Sequence, residues 1–294
     1  MEFIIKLNDE SAATVSLPCW CQLPAYAYHR MSIMSAGALN TLARMSPAHL
    51  KYAIDNPEPD KDVSDALTFG RLVHCVILEP ELVPFQFIAA PVCDRRTTEG
   101  KNLYADFLER ANGKTIVKQG DLDRAYAMRD AAYENKDAAT LLNNLEYREI
   151  SGFAIEQQTG LPAKIRPDGL SLKLETLVDL KTCVSSSPRD FARAMQLFGY
   201  HRQLQFYKEI AAEINGTLIS SIVIIAVEKT PPFVTEVYEV SPRALSRAAI
   251  ELEALRSLYK QCMETDAWPG YTERGLSVLD LPEYIYRTET IGEE

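Results

Sequence analysis

Two short acidic motifs constrain the fold of this chain more than any other feature. Arg166-Pro167-Asp168 is followed by Asp179-Leu180-Lys181, with ten residues between the two aspartates. The adjoining stretches 161–165 and 174–178 alternate or run apolar, which is typical of β-strands. The sequence therefore predicts a β-hairpin that carries Asp168 at its turn and Asp179 on its second strand.

The chemistry of this predicted hairpin follows from the spacing of its side chains. A period of two puts Asp179 and Lys181 on one face of the strand and Val178 and Leu180 on the other. Two facing carboxylates are unfavourable unless a cation lies between them, and oxygen ligands suit Mg²⁺ or Mn²⁺. Lys181 would orient or help to deprotonate an attacking water and balance charge on a phosphate. The pattern indicates a metal site for phosphodiester cleavage; the alternative is a surface hairpin with a solvent-facing Asp/Lys pair.

Two residues upstream are candidates for the same site. His74 follows Gly70 by four residues on a predicted apolar helix, 64–78. A small residue one turn earlier would let the helix approach the sheet, so that His74 could complete a metal shell; a buried histidine with a structural role is the alternative. Glu149 opens the strand before the hairpin and could serve as an outer carboxylate or be a solvated charge at a strand end.

A further pair lies downstream of the hairpin. Gln203 and Tyr207 are four residues apart on a predicted helix, 188–214, so they share one face. Glutamine can fix a water or a backbone phosphate, and tyrosine can pack under the strand with its hydroxyl toward a substrate. Tyr207 also fits the apolar stripe of that helix, so the pair alone is weak evidence.

The net charge is −10, but the charges are unevenly distributed along the chain. Such a charge opposes nucleic-acid binding, which depends on phosphate neutralisation. Residues 161–210, however, hold eight Lys/Arg and five Asp/Glu, which leaves −13 on the rest of the chain. A basic working face on an acidic body would direct DNA to one place; a few exposed lysines and arginines on ordinary helices are the alternative.

The order of predicted elements defines the fold class. A helix, hairpin-like strands, a helix and two further strands predict an α/β core with a mixed central β-sheet flanked by helices and a helical N-terminal part. We expect a loose N-terminal extension over residues 1–30, a nuclease domain over 31–265 and a C-terminal tail over 266–294. No stretch approaches the ~18 apolar residues of a membrane span.

The three motifs, in this order, carry a family resemblance. Gly70-x-x-x-His74, Asp168-(ten residues)-Asp179-x-Lys181 and Gln203-x-x-x-Tyr207 resemble the PD-(D/E)xK (restriction-endonuclease-like) nuclease superfamily. More narrowly, the sequence is similar to the RecE-like exonucleases, the C-terminal nuclease domain of exodeoxyribonuclease VIII. Stretches 34–40, 46–49 and 95–101 match as well, and the resemblance covers roughly residues 28–265.

The resemblance implies Mg²⁺-dependent, processive 5′-to-3′ degradation of one strand from the ends of linear double-stranded DNA, leaving a 3′ single-stranded tail. It also implies a ring-shaped homo-oligomer, a trimer or tetramer, and an annealing partner of the RecT type. By position, His74, Asp168, Asp179 and the backbone carbonyl of Leu180 would be metal ligands, and Lys181 would be the catalytic lysine. Gln203 and Tyr207 would be the auxiliary catalytic motif, with Glu149 and Arg166 as possible further site residues.

The cysteines predict no further cofactor. Some nucleases that the chain resembles hold an iron–sulfur cluster through one upstream cysteine and three near the C-terminus, but only Cys262 lies there. We expect no iron–sulfur cluster, reduced thiols and a cytoplasmic location. The Cys19-x-Cys21 pair without a second pair is poor evidence for zinc.

Two alternatives to the exonuclease remain open at this point. The first is a PD-(D/E)xK endonuclease or helicase-associated nuclease, which would also cut closed circular DNA. The second is a non-catalytic DNA-binding or assembly protein that keeps the fold. The complete set of Asp168, Asp179 and Lys181 speaks against the second alternative, because a binding protein has no need of clustered carboxylates facing phosphate.

Overall fold

A computed structural model of the protein describes residues 2–6, 12–56, 64–216, 219–272 and 276–286. The strands in these residues are β1 (Glu2–Lys6), β2 (Ala12–Ser16), β3 (Cys19–Cys21), β4 (Met34–Ser35), β5 (Phe87–Ala89), β6 (Thr115–Val117), β7 (Tyr147–Arg148), β8 (Ser151–Ile155), β9 (Pro162–Ile165), β10 (Gly169–Ser171), β11 (Thr176–Cys183), β12 (Ser221–Glu228) and β13 (Thr235–Glu239). The helices are α1 (Ala25–Arg30), α2 (Ala36–Arg44), α3 (Pro47–Asp55), α4 (Asp65–Leu78), α5 (Val83–Gln86), α6 (Thr98–Ala111), α7 (Gln119–Glu134), α8 (Lys136–Asn143), α9 (Pro188–Phe198), α10 (Tyr200–Asn215), α11 (Pro242–Thr265) and α12 (Glu283–Tyr286).

A five-stranded mixed sheet forms the centre of the fold, in the order β13-β12-β11-β10-β7. β11 and β12 pair in parallel, whereas the other neighbours pair antiparallel. A parallel pair needs a long crossover, which α9 and α10 provide. The predicted α/β class, with a mixed sheet flanked by helices, is confirmed.

Alternate residues of β11 face two different helical layers. Leu177 belongs to a core cluster with side chains of α2, α10 and α11. Val178 and Leu180 belong to a second cluster with side chains of α4, α7 and α8. The period of two therefore puts Asp179, like Leu177, on the α10 side of the sheet. The predicted separation of Asp179 from Val178 and Leu180 is confirmed.

The predicted hairpin is wrong in its first strand. The hairpin joins β10 to β11, whereas β9, which covers the predicted strand 161–165, belongs to a separate four-stranded sheet in the order β3-β8-β9-β4. Asp168 lies directly before β10 and not at the hairpin turn. Pro167 has no N–H to continue the β9 ladder, and the three residues of β10 are too few to show periodicity. Gly169 pairs with Val178. Asp168 directly precedes Gly169 and Asp179 directly follows Val178, so the two aspartates lie opposite each other at the end of the β10–β11 ladder.

The N-terminal region is more integrated than the sequence predicts. β3 pairs antiparallel with β8, and Leu23 and Tyr28 are buried against Phe153. A loose extension is therefore the wrong description of residues 19–30, because two large apolar side chains fix them to the second sheet. The two predicted boundaries between the three segments stay predictions.

The crossover helix predicted over 188–214 is broken in two. Ser187 caps α9 through a hydrogen bond from the Asp190 N–H, and Gly199 ends α9 in the left-handed conformation at φ +72°. A Cβ on Gly199 would lie 2.4 Å from Asn40 Oδ1 and from Arg202 Nη2. Glycine alone satisfies both the backbone angle and the available space.

Gly199→Ala is expected to lower the free energy of unfolding by about 2 kcal/mol or more, because the left-handed conformation costs ~1–2 kcal/mol and the new methyl group meets Asn40. Gly216→Ala is the matched control: its φ is +66° with no neighbouring atom within 4 Å, so it carries only the conformational cost. Equal losses for the two variants in urea denaturation would contradict this account.

Within the described part of the chain, no helix is both long enough and apolar enough to cross a bilayer.

Candidate metal centre and active site

The Asp179–Lys181 pair lies at the centre of the candidate site. Asp179 is completely buried, and Lys181 Nζ lies 2.8 Å from its Oδ1 and 2.7 Å from its Oδ2. The hydrogen bond is directed at Oδ1; Oδ2 is close to the ammonium but has no partner in hydrogen-bonding geometry. A buried carboxylate oxygen without a hydrogen bond is costly unless a cation completes its environment.

Asp168 is held beside this pair by the backbone of β11. Its Oδ2 accepts a hydrogen bond of 2.7 Å from the Leu180 N–H. The N–H and C=O of one strand residue point to the same side, so the Leu180 carbonyl also faces the side on which β10 begins at Gly169.

A histidine and a second carboxylate meet Asp168. His74 Nδ1 lies 3.7 Å from Asp168 Oδ1 and 3.7 Å from Glu149 Oε1. Ligand atoms of all three residues lie within 4.8 Å of one another. Glu149 is fixed by its N–H, which donates to the Asp168 carbonyl at 3.1 Å, and has a positive φ of +47°. Backbone strain of this kind clusters at functional sites, although Glu175 and Phe233 also have a positive φ elsewhere in the structure.

Arg166 orients Glu149 from behind. Its Nε donates to Glu149 Oε2 at 2.9 Å, while Nη1 donates to the Leu23 carbonyl and the Ser151 hydroxyl, both at 2.9 Å. The Arg166 side chain is 10% exposed, and all of these hydrogen bonds are to other atoms of the protein. Arg166 therefore positions Glu149 and ties the N-terminal region to the site.

Mutual electrostatics shift the pKa values of these groups. Burial raises the pKa of Asp168 to about 7, although His74 opposes the shift; the Asp179 carboxylate adds to it. Burial alone would lower the pKa of His74, but the Asp168 and Glu149 carboxylates outweigh it and hold that pKa above its ordinary value. Burial alone would raise the pKa of Glu149, but His74 and Arg166 outweigh it and lower that pKa. A positive charge at this cluster would therefore stabilise the ionised carboxylates.

Lys181 is kept as an ammonium. Burial opposes its charge, but the Asp179 and Asp168 carboxylates raise its pKa above the ordinary value. Its Nζ also lies 5.0 Å from the centroid of the Tyr200 ring, a distance at which a ring face attracts a cation. In this arrangement Lys181 suits charge balance on a phosphate better than proton abstraction from water.

Gln203 and Tyr207 lie between the carboxylates and a cleft. Both line a cavity of about 900 Å³ between α1, α2 and α10. Burial raises the pKa of Tyr207; the Asp168 carboxylate adds to the shift, and a hydrogen bond with the Gln203 side chain opposes it. The cavity is bounded by this pair and does not extend to Asp179, so Tyr207 separates the cleft from the acidic cluster.

The structure groups the predicted residues in two sets. His74, Glu149 and Asp168 converge on one point, while Asp179 belongs to the Lys181 ion pair beside it. Glu149, which the sequence offers as an auxiliary, is thus closer to His74 than a peripheral role implies. The reason predicted for the Gly70 position is wrong, because a Cβ there would meet nothing within 4 Å.

Two residues near the site were not predicted. Lys164 is 4% exposed and donates to the carbonyls of Tyr28 and Met31 at 2.6 and 2.7 Å. Burial lowers the pKa of Lys164 to about 8. Lys164 and Arg166 are two residues apart, so the strand period places them on the same face. This spacing could have been used to predict that Lys164 lies near the site. No pattern in the sequence indicates that Tyr200 lies beneath Lys181.

The donor set fits a divalent cation. Two carboxylates and an imidazole whose ligand atoms lie within 4.8 Å of one another suit a divalent cation. Glu149, Asp168 and His74 would hold the cation, whereas the assignment of Asp179 and the Leu180 carbonyl as ligands stays a prediction. A neutral imidazole would be required for binding.

The fold and this site define a PD-(D/E)xK-type domain, in agreement with the resemblance of the sequence motifs. Residues 36–277 match the family described as PDDEXK-like domain of unknown function (DUF3799). The match covers most of the sequence, and the chain belongs to this family. Membership of a PDDEXK-like family supports a nuclease function with divalent metals.

One solved structure shares the fold, and two others show a weaker similarity. A candidate exonuclease from Eubacterium rectale is 16% identical, with 92% of this chain and 100% of that chain covered and a TM-score of 0.60. LHK-Exo in complex with dAMP is 12% identical, with 81% and 94% covered and a TM-score of 0.34. SSO0001 is 16% identical, with 64% and 85% covered and a TM-score of 0.28. No curated protein gives a significant sequence match.

Proposed function

We propose that this protein is a Mg²⁺-dependent exodeoxyribonuclease that acts on the ends of linear double-stranded DNA. It degrades the 5′-ended strand in the 5′-to-3′ direction and leaves 3′ single-stranded tails for annealing-type recombination. Mn²⁺ is expected to substitute for Mg²⁺. The observation that carries the proposal is the convergence of His74, Glu149 and Asp168 beside the buried Asp179–Lys181 pair.

The residues of the site divide the work of hydrolysis. A bound divalent cation would lower the pKa of a coordinated water and offset charge on the phosphate. Lys181, with its ammonium near Asp179, would neutralise charge that develops on the phosphate oxygens. Tyr207 and Gln203, which lie between the cleft and the acidic cluster, would orient the substrate backbone.

The proposal extends to assembly and partners. A ring-shaped homo-oligomer, a trimer or tetramer, would hold DNA by enclosure and would explain processivity despite a net charge of −10. A RecT-type annealing protein would receive the 3′ tail, and the reaction would take place in the cytoplasm. A monomeric mass in light scattering at working concentration would rule out the ring.

Linear and closed circular duplexes of one sequence distinguish an exonuclease from its alternatives. With Mg²⁺ we expect complete digestion of the linear duplex, an intact circle, and no digestion of either in EDTA. Cleavage of the circle would identify an endonuclease. Binding without cleavage of either DNA would identify a non-catalytic DNA-binding protein.

His74→Ala is expected to raise the Mg²⁺ concentration for half-maximal cleavage by about 10- to 100-fold, the usual range for an altered metal environment. The reason is that His74 offers the nitrogen ligand nearest to Asp168 and Glu149. The measurement is a Mg²⁺ titration of the cleavage rate. His49→Ala is the control, since His49 contacts Ser46 and Tyr271 instead. An unchanged titration for His74→Ala would remove His74 from the metal site.

A further inference from the structure

A partly exposed apolar corner lies near the candidate active site. Leu197 and Phe198, the last residues of α9, are 61% and 44% exposed. The Arg44 guanidinium carbon lies 5.9 Å from the centroid of the Phe198 ring. We call Arg44, Leu197 and Phe198 the Phe198 ledge. Large apolar side chains grouped at an exposed corner mark an interaction site more often than single ones do.

The ledge is held in place by the protein around it. Gly199 turns the chain directly after Phe198, and Arg202 Nε donates to Asn40 Oδ1 at 2.8 Å across the turn. Arg202 Nη1 also donates to Glu251 at 2.8 Å. The exposed ring is therefore preorganised, which lowers the entropic cost of binding a ligand.

Stacked rings connect the ledge to the catalytic lysine. Phe198 stacks on Tyr200 with 5.6 Å between centroids and 26° between planes. The Tyr200 ring in turn lies 5.0 Å from Lys181 Nζ. The path from the Phe198 ring through the Tyr200 ring to Lys181 Nζ is about as long as three base steps at the ~3.4 Å rise of a DNA strand. A strand whose scissile phosphate lies at Lys181 would therefore pass the ledge within a few nucleotides.

The charges around the ledge favour a polyanion. Arg44 borders the ring, and the exposed Arg193 lies four residues before Leu197 on α9, on the same face of that helix. Cations bordering an exposed aromatic ring are the combination with which proteins bind single-stranded nucleic acids, with the base on the ring and the backbone on the cations. A second protein copy would need a larger apolar surface and has no use for the cations.

We propose that the Phe198 ledge stacks a nucleobase of the DNA strand within a few nucleotides of the scissile phosphate. This inference rests on the proposed nuclease function and adds a specificity: the strand must present an unpaired base at the ledge. DNA ends that open readily would therefore be preferred over ends clamped by G·C pairs.

The test uses the full chain with Asp179→Asn to prevent cleavage, and a single-stranded oligonucleotide in which each of the first five positions in turn carries 2-aminopurine. Stacking on an aromatic ring changes the fluorescence of this base. In the Asp179→Asn background, we expect a position-specific change, lost in Phe198→Ala and Phe198→Leu and kept in Phe198→Tyr. Affinity should fall about 5- to 150-fold with Phe198→Ala, which corresponds to one stacked base. Phe85→Ala, which removes a 71% exposed ring on α5, is the control.

The outcomes separate the ledge from the function. Wild-type binding and fluorescence in Phe198→Ala, or retention in Phe198→Leu, would overturn the stacking proposal. A smaller assembly mass for Phe198→Ala would overturn it as well, because the ledge would then join two copies. If the wild-type protein cleaves linear duplex in Mg²⁺ while the Phe198 variants bind DNA and change the fluorescence as the unsubstituted protein does, only the ledge proposal fails. If the wild-type protein neither binds nor cleaves DNA, the proposed function fails.

Discussion

Asp179→Asn is expected to lower Mg²⁺-dependent cleavage of linear duplex DNA by about 1000-fold, the upper part of the range for removing one electrostatic group from an active site. Asp179 is buried, and its Oδ2 is the carboxylate oxygen without a hydrogen bond. Asparagine keeps the shape but removes the negative charge that a cation and Lys181 both require. The rate of release of acid-soluble nucleotides measures the effect.

The choice of asparagine limits the effect on folding, because its side-chain oxygen can still accept a hydrogen bond from Lys181. Asp179→Ala would leave the Lys181 ammonium without its buried partner, a change that typically costs about 3–5 kcal/mol. Asp55→Asn is the matched control, because Asp55 binds Lys51 through both oxygens in an exposed pair. We expect Asp55→Asn to cleave at the wild-type rate. A loss of only a few-fold for a folded Asp179→Asn protein would remove Asp179 from the site.

Lys181→Met is expected to lower the maximal cleavage rate by about 1000-fold while the Mg²⁺ concentration for half-maximal rate stays equal or falls. The ammonium neutralises charge on the phosphate in the transition state, but it competes with the cation for Asp179 and Asp168 in the ground state. This response is the opposite of that expected for His74→Ala. A Mg²⁺ titration of the cleavage rate measures both quantities.

Lys51→Met provides the control for lysine removal at an exposed ion pair with the same N–O distance of 2.7 Å, and its rate should match wild type. The account of Lys181 is contradicted if the variant, shown to be folded by circular dichroism, loses less than about 10-fold in rate. It is also contradicted if its Mg²⁺ requirement rises as for His74→Ala, since Lys181 would then support the metal rather than the phosphate.

Local patterns allowed the prediction of the elements that carry the site. β11 was predictable because its alternation is imposed by two helical layers, with Leu177 facing one and Val178 and Leu180 the other. The helix with His74 was predictable from its apolar spacing and its Ser64 cap. These features depend on residues within one element, which is the range over which periodicity operates.

The remaining features depend on contacts that are distant in sequence. β10 is too short for a pattern and is defined by its pairing with β7 and β11. The convergence of His74 with Glu149 crosses 75 residues, and the bond from Arg166 to Leu23 crosses 143. The break at Gly199 had a visible signal, the glycine itself, which the apolar stripe of the predicted helix outweighed. Tertiary packing therefore decided what local propensity left open.

The most direct test of the central claim is digestion of a linear duplex labelled separately at each 5′ and 3′ end, with and without Mg²⁺. The account predicts Mg²⁺-dependent release of the 5′ labels as short products, while the 3′ labels stay on long single strands. Release of the 3′ labels first would contradict the direction, and no release from either end would contradict the assignment of His74, Asp168, Asp179 and Lys181 to a nuclease site.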